Sequence, residues 1–205
     1  MKNSFPVTIL LPTNYYKNYV DDPWVAAEDH QGPIIERRME TVLHEDSKLK
    51  VVLFGTIDGM LEHKRSGERI IVDHKTTSNV YDFYKRVKPN HQYTAYTLLA
   101  RKNLNYDSHK FMVNALEVKA KPKTNRAQPP KFPRQITTRD ANDYEEFTYT
   151  VVNLVKHFLE FNEQKKWPIG HADSCSMYGG CLYHDICTAS PLIRENIIKA
   201  TFGES

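Results

Sequence analysis

An α/β fold, with a mixed central sheet flanked by helices, is the class the sequence predicts, and three observations predict it. Two apolar stretches, LKVVLFGTIDGMLE (49–62) and RIIVDHKT (69–76), flank the polar HKRSGE and read as a β-hairpin. A helix-like segment, HQYTAYTLLARK (91–102), separates that hairpin from another strand-like stretch, HKFMVNALEVK (109–119). Further on, Tyr144, Phe147, Val151, Leu154, Val155, Phe158 and Leu159 recur at helical spacing. Strands alternating with helices call for a sheet that buries its faces under those helices.

Taken in order, residues 1–33 form a poorly patterned segment broken by Pro6, Pro12, Pro23 and Pro33. Ile34–Leu43 reads as a strand, then the hairpin pair with Gly67 in its connection, then the helix and the strand already named. Residues 119–135, KAKPKTNRAQPPKFPRQ, read as a basic, Pro-rich loop. Thr138 or Asp140 starts the long helix, which runs to about Glu163. The expected division is a core over 34–165 and a Cys-rich tail over 166–205, closed by a short helix near Arg194–Ala200.

Composition narrows the class. The 205 residues are 40% hydrophobic and 26% charged, with a net charge of +3 and a pI of 8.6. That is ordinary for a globular domain and mildly basic, which permits a nucleic-acid partner without demanding one. No apolar run reaches the roughly 18 residues of a membrane span. The start, MKNSFPVTILLP, is too short and too Pro-broken for a secretory signal. Three cysteines confined to 175–187 are no secreted disulfide framework. The expectation is a cytoplasmic protein with no membrane partner. There is no GxxxxGK[ST] and hence no built-in ATPase.

The hairpin carries the chemistry. Side chains alternate along a strand, so Asp73 and Lys75 share a face. With the turn centred on Ser66–Gly67, Asp58 lies across from Lys75 and Asp73 is its diagonal neighbour. Opposite Cβ atoms are about 5 Å apart and diagonal ones about 7–8 Å, close enough for two carboxylates to lean onto one small cation. Mg²⁺ or Mn²⁺ suits oxygen ligands of this kind. Asp58, Asp73 and Lys75 together make sense as a phosphodiester-hydrolysis site, and an exposed Asp–Lys ion pair is the plain alternative.

The ordered string G55-T-I-D58, D73-H-K75-T76-T77 and Q92-Y-T-A-Y96 resembles the RecB-type branch of the PD-(D/E)XK nuclease superfamily. That branch holds the exonuclease domains of bacterial recombination complexes, CRISPR-adaptation nucleases and many phage proteins. The resemblance implies a restriction-endonuclease-like core and a metal-dependent DNA nuclease, an exonuclease, acting in recombination, repair or processing. It implies DNA with single-stranded character as substrate and a recombination complex as partner. Asp58 and Asp73 match the metal-binding carboxylates, the His74 carbonyl often ligates too, and Lys75 matches the catalytic lysine. Gln92 and Tyr96 match the motif that contacts substrate and braces the site, and the i, i+4 spacing puts them on one helix face. Glu36 resembles an acidic residue that often precedes the hairpin and is a candidate metal ligand. The family's upstream cysteine and metal-ligating histidine find no match. His30 and His44 read as surface or loop histidines, so the chain reads as lacking one metal ligand, either as a natural short variant or because it is truncated.

In the tail, H171-A-D-S-C175-S-M-Y-G-G-C181-L-Y-H184-D-I-C187 spaces three cysteines regularly. They resemble the C-terminal ligands of a [4Fe–4S] cluster found in many of these nucleases, with the fourth cysteine missing. A Cys₃His zinc site using Cys175, Cys181, Cys187 and His184 or His171 is the other metal reading, and reduced structural cysteines are the third. Lys119, Lys121, Lys123, Arg126, Lys131 and Arg134 form a basic run suited to a phosphate backbone. Lys85, Arg86 and Lys88 make a second group. Tyr81, Phe83 and Tyr84 suit either base stacking or a core edge. Two alternatives to the nuclease stand: a degenerate nuclease fold that only binds DNA, and a zinc-stabilised interaction protein.

Overall fold

A computed structural model describes residues 15–118, 131–168, 172–176 and 180–203. The elements are β1 (Trp24–Ala26), β2 (Glu28–Asp29), β3 (Gly32–Pro33), β4 (Ile35–Glu45), β5 (Lys50–His63), β6 (Arg69–Thr77), α1 (Val80–Tyr84), α2 (His91–Asn103), β7 (Lys110–Glu117), β8 (Arg134–Thr138), α3 (Ala141–Gln164), α4 (Ala172–Ser176), α5 (His184–Thr188) and α6 (Arg194–Phe202). The chain divides into two compact units, Met1–Leu154 and Val155–Ser205.

The first unit is built on a six-stranded sheet ordered β1-β5-β6-β7-β8, with β4 also paired to β5. β5 and β6 are antiparallel, β6 and β7 parallel, and β7 and β8 antiparallel, so the sheet is mixed. A parallel pair needs a crossover, and α2 supplies it between β6 and β7. Its Tyr93, Leu99 and Ala100 are fully buried with Ile57, Met60, Ile71, Phe111 and Val113 of the strands. On the opposite face Ile70, Val72 and Met112 pack with Trp24 and Leu61. β6 is therefore covered on both faces, which is why its start is an unbroken apolar run and not an alternating one.

The expected strands, α2, α3 and α6 form within a few residues of their expected ends. Two regions differ. Short strands β1 to β3 occupy the segment read as poorly patterned; they are held by pairing, with Trp24 across from His63 and Glu28 across from Pro33. β8 occupies the end of the stretch read as a loop, where Phe111 faces Thr137 and Val113 faces Gln135. Five residues of an edge strand after a Pro-rich run carry too little period to stand out. The short helices α1, α4 and α5 likewise escaped the sequence reading.

Candidate active site

The hairpin turn sets the geometry. His63 and Glu68 close the loop, since the His63 amide donates to the Glu68 carbonyl at 2.8 Å and the Gly67 amide donates back to the His63 carbonyl at 2.9 Å. Gly67 takes a left-handed φ of 69°, open to glycine at little steric cost. The turn thus centres on Arg65–Ser66, one residue earlier than expected, and the register runs through Leu61–Ile70 to Gly59–Val72. This corrects the expected pairing: the next position along puts Asp58 across from Asp73, not Lys75. A two-residue shift in the partner keeps every side chain on its face, so the expected grouping survives the correction.

At that point the two strands part. β5 continues from Gly59 back to Lys50 alongside β4, while β6 continues from Ile71 to Thr77 alongside β7. Asp58 spans the opening, its Oδ2 accepting the His74 amide at 2.8 Å. Asp73 is fully buried. Lys75 Nζ lies 2.9 Å from each of its carboxylate oxygens, but only the Oδ1 contact has hydrogen-bond geometry. Oδ2 is left buried without a hydrogen-bond partner. Burial pushes the Asp73 carboxyl up; Lys75 pulls it down, Asp58 pushes it further up, and the net effect is upward. Such an orphaned acceptor beside a second carboxylate is the donor set a hard divalent cation takes. Among the described residues no group of three or more His, Cys, Asp and Glu side chains is arranged to hold a metal.

Helix α2 closes the site from one side. Asn90 caps it by accepting the Gln92 amide at 2.9 Å, which fixes the first turn. Gln92 Nε2 donates to the Tyr96 hydroxyl at 3.0 Å, so the i, i+4 pair is a bonded pair. Gly55 lets the helix approach: a Cβ there would sit 3.1 Å from Leu99 Cδ1 and 3.5 Å from Tyr96 Cε1. A side chain at the glycine three residues before Asp58 would therefore press on Leu99, which would have to give by a few tenths of an ångström. Glu36 is exposed, has a φ of 46°, and sits between the paired residues Ile35–Gly59 and Arg37–Ile57, at the register position of Asp58.

A family model for the PD-(D/E)XK nuclease superfamily matches residues 17–188, a range that contains this opening and the α2 helix. The chain belongs to the PD-(D/E)XK nuclease superfamily. No curated protein matches it. The superfamily match spans most of the chain and includes all three motif pieces and the three cysteines.

The remaining candidates of this superfamily member fall in several places. His44 Nε2 is 2.9 Å from Asp46 Oδ2 and His30 Nε2 is 3.3 Å from Gln31 Nε2, each at the surface as expected. Lys119, Lys121, Lys123 and Arg126 lie outside the described residues. The Lys131 amide and carbonyl pair with Glu117. Arg134 corrects the expectation of a loop cation: it lies on β8, with its guanidinium 2.9 Å from Asp22 Oδ1, bonded also to Asp22 Oδ2, and stacked 3.8 Å from the Tyr19 ring centre. A guanidinium so engaged, at 15% exposure, is a clamp on the N-terminal segment and not a free phosphate contact. Phe83 and Tyr84 pack on the core, while Tyr81 is exposed beneath Lys85 Nζ.

In the second unit Cys175, Cys181 and Cys187 are free. The Cys181 amide donates to the Cys175 carbonyl at 2.9 Å, and the His184 amide to the Cys181 carbonyl at 3.1 Å. His171 lies outside the described residues.

Sequence reasoning missed two residues that build the site. Arg139 is 1% exposed, and all five of its N–H groups are satisfied, by Thr94 Oγ1, Thr137 Oγ1 and the carbonyls of Thr138, Val87 and Asn90. It ties the segment that leads into α2 to the end of β8. Tyr93 is fully buried with its ring 4.7 Å from Phe111. An arginine among polar residues and a tyrosine on an apolar helix face carry no sequence signal of such roles.

Proposed function

We propose that this protein is a divalent-metal-dependent DNA nuclease of the RecB-like branch, acting as an exonuclease on DNA with single-stranded character in recombination, repair or processing. The observation that carries the reading is the buried Asp73, with Lys75 Nζ 2.9 Å from both its oxygens and Oδ2 lacking a hydrogen bond, at the point where the Asp58 strand separates from it. Asp58 and Asp73 would hold Mg²⁺ or Mn²⁺, and the cation when bound supplies Lewis acidity toward a phosphodiester and acidifies water. The Lys75 amine, beside the carboxylates, stabilises charge developing on a bound phosphate. The Gln92–Tyr96 pair supports the side of the opening covered by α2. Glu36, exposed at the register position of Asp58, would have to turn toward the pair to serve as a further oxygen donor. Lys119, Lys121, Lys123, Arg126 and Lys131 would supply phosphate contacts, and Cys175, Cys181, Cys187 and His184, not grouped as metal ligands among the described residues, would have to draw together to take zinc or an iron–sulfur cluster.

The test uses anaerobically purified protein on end-labelled single- and double-stranded DNA with Mg²⁺, Mn²⁺ or EDTA. Cleavage should require the metal and fall by about 10²–10³ in Lys75→Ala. Equal residual cleavage by wild type and the folded variant would sink the site assignment. One observation favours a second reading, a fold that binds DNA without turnover: no third acidic or His ligand joins the pair among the described residues. DNA binding without metal-dependent cleavage, in folded protein, selects it.

A further inference from the structure

Two buried polar atoms at the contact of α2 with β6 lack hydrogen-bond partners, the Tyr93 hydroxyl and Asp73 Oδ2. Both residues are fully buried. The Tyr93 ring rests on Phe111, which is the register partner of Ile71, and Asp73 is the next residue along that face of β6. Burial raises the phenol pKa, and Asp73 is the charge that acts on it most strongly, with Arg139 and Asp58 also bearing on it. The phenol therefore remains an O–H donor across the working pH range. The first is a donor, and the second an acceptor that Lys75 Nζ approaches to 2.9 Å without hydrogen-bond geometry.

An unpaired buried hydroxyl is destabilising, and phenylalanine would fill the same space against Phe111 without that cost. The hydroxyl repays its burial only in a state in which it is paired. Resting on the metal reading above, we propose that Tyr93 is a positioning residue whose hydroxyl donates to the Asp73 carboxylate when that carboxylate holds a divalent cation. Lys75 and Tyr93 would then orient Asp73 from its two oxygens, which deepens the site by one residue outside the GxxD, DxK and QxxxY motifs.

The experiment is Mn²⁺ titration by calorimetry on the full chain, with thermal melts, for wild type, Tyr93→Phe and Asp73→Asn. Asp73→Asn should abolish binding. Tyr93→Phe should weaken it about ten- to a hundredfold, the share of one hydrogen bond to a charged group, while the metal-free melting temperature stays level or rises. Wild-type affinity in Tyr93→Phe, with binding still dependent on Asp73, overturns the assignment of Tyr93 alone. Absence of Asp73-dependent binding in wild type overturns the metal reading and this inference with it.

Discussion

The Asp73 carboxylate is fully buried, and that burial outweighs the pull of Lys75, so its charged form is disfavoured. A carboxyl whose folded pKa is raised contributes stability that is complete below the unfolded value and is lost as pH rises through the folded one. Two outcomes follow at this scale. In metal-free protein, Asp73→Asn should raise the melting temperature at neutral pH, and the gain should shrink as pH falls toward the ordinary carboxylate range. Mn²⁺ binding to wild type should tighten as pH rises through the same region, because the cation needs the ionised form. A buffer series of melts and titrations checks both. Arg139 is the other residue of weight. Its buried guanidinium meets five acceptors, none of them a carboxylate, and burial pushes its pKa down. Arg139→Met strands those acceptors beneath the lead-in to α2. Urea denaturation should show a loss of about 3 kcal/mol or more.

Among elements, the partnership of β5 with α2 decides whether the site closes. Leu99 is fully buried and reaches within 3.1 Å of where a Gly55 side chain would start. Gly55→Val overfills this contact and should cost about 1–3 kcal/mol by denaturant melts. Adding Leu99→Ala vacates the same space, so the double variant should lose less than the sum of its singles. Additive losses would show that the glycine serves some purpose other than helix approach. β5 itself has 14 residues because it serves three neighbours in turn: β4 along Lys50–Gly59, β6 along Gly59–Glu62 and β1 along Leu61–His63. The handover at Asp58–Gly59 makes the opening in which the carboxylates meet.

On the scale of the whole first unit, residues remote in sequence lock the sheet's other face. Asp22 and Arg134, 112 positions apart, form a paired clamp that holds the Tyr15–Trp24 segment, with the Tyr15 hydroxyl accepting from the buried Asn114 at 2.6 Å. Asn114 also meets His74 Nδ1 at 2.9 Å, so the clamp reaches the strand of the active site. Burial pushes the Asp22 carboxyl up, but the hydrogen bonds from Arg134 and the Trp24 amide outweigh it and hold its pKa below the usual range. A depressed carboxyl contributes stability that is present above the unfolded pKa and lost as pH falls through the folded one. Acidification below about pH 4 should therefore expose Tyr15–Trp24 to limited proteolysis before the sheet unfolds, and Arg134→Gln should do so at neutral pH. Protection unchanged in Arg134→Gln would show that the segment is held by its aromatic contacts alone.

The amino-acid order by itself determined the hairpin, the α2 helix and the shared face of Asp73 and Lys75, because each depends on a local period of two or of 3.6 residues. It also carried the ordered motif triple, since GxxD, DxK and QxxxY lie within 42 consecutive positions, Gly55 to Tyr96. The tertiary structure alone decided the hairpin register, which ends at Gly59 across from Val72 and so brings Asp58 level with Asp73 and not Lys75. It alone placed β8 and the three short strands, which hold through partners and not through pattern. It alone turned Arg134 from a loop cation into the partner of Asp22, and made Arg139 and Tyr93 part of the site's frame. A side chain's partners across a hundred residues are set by how the sheet pairs, and no local spacing records them.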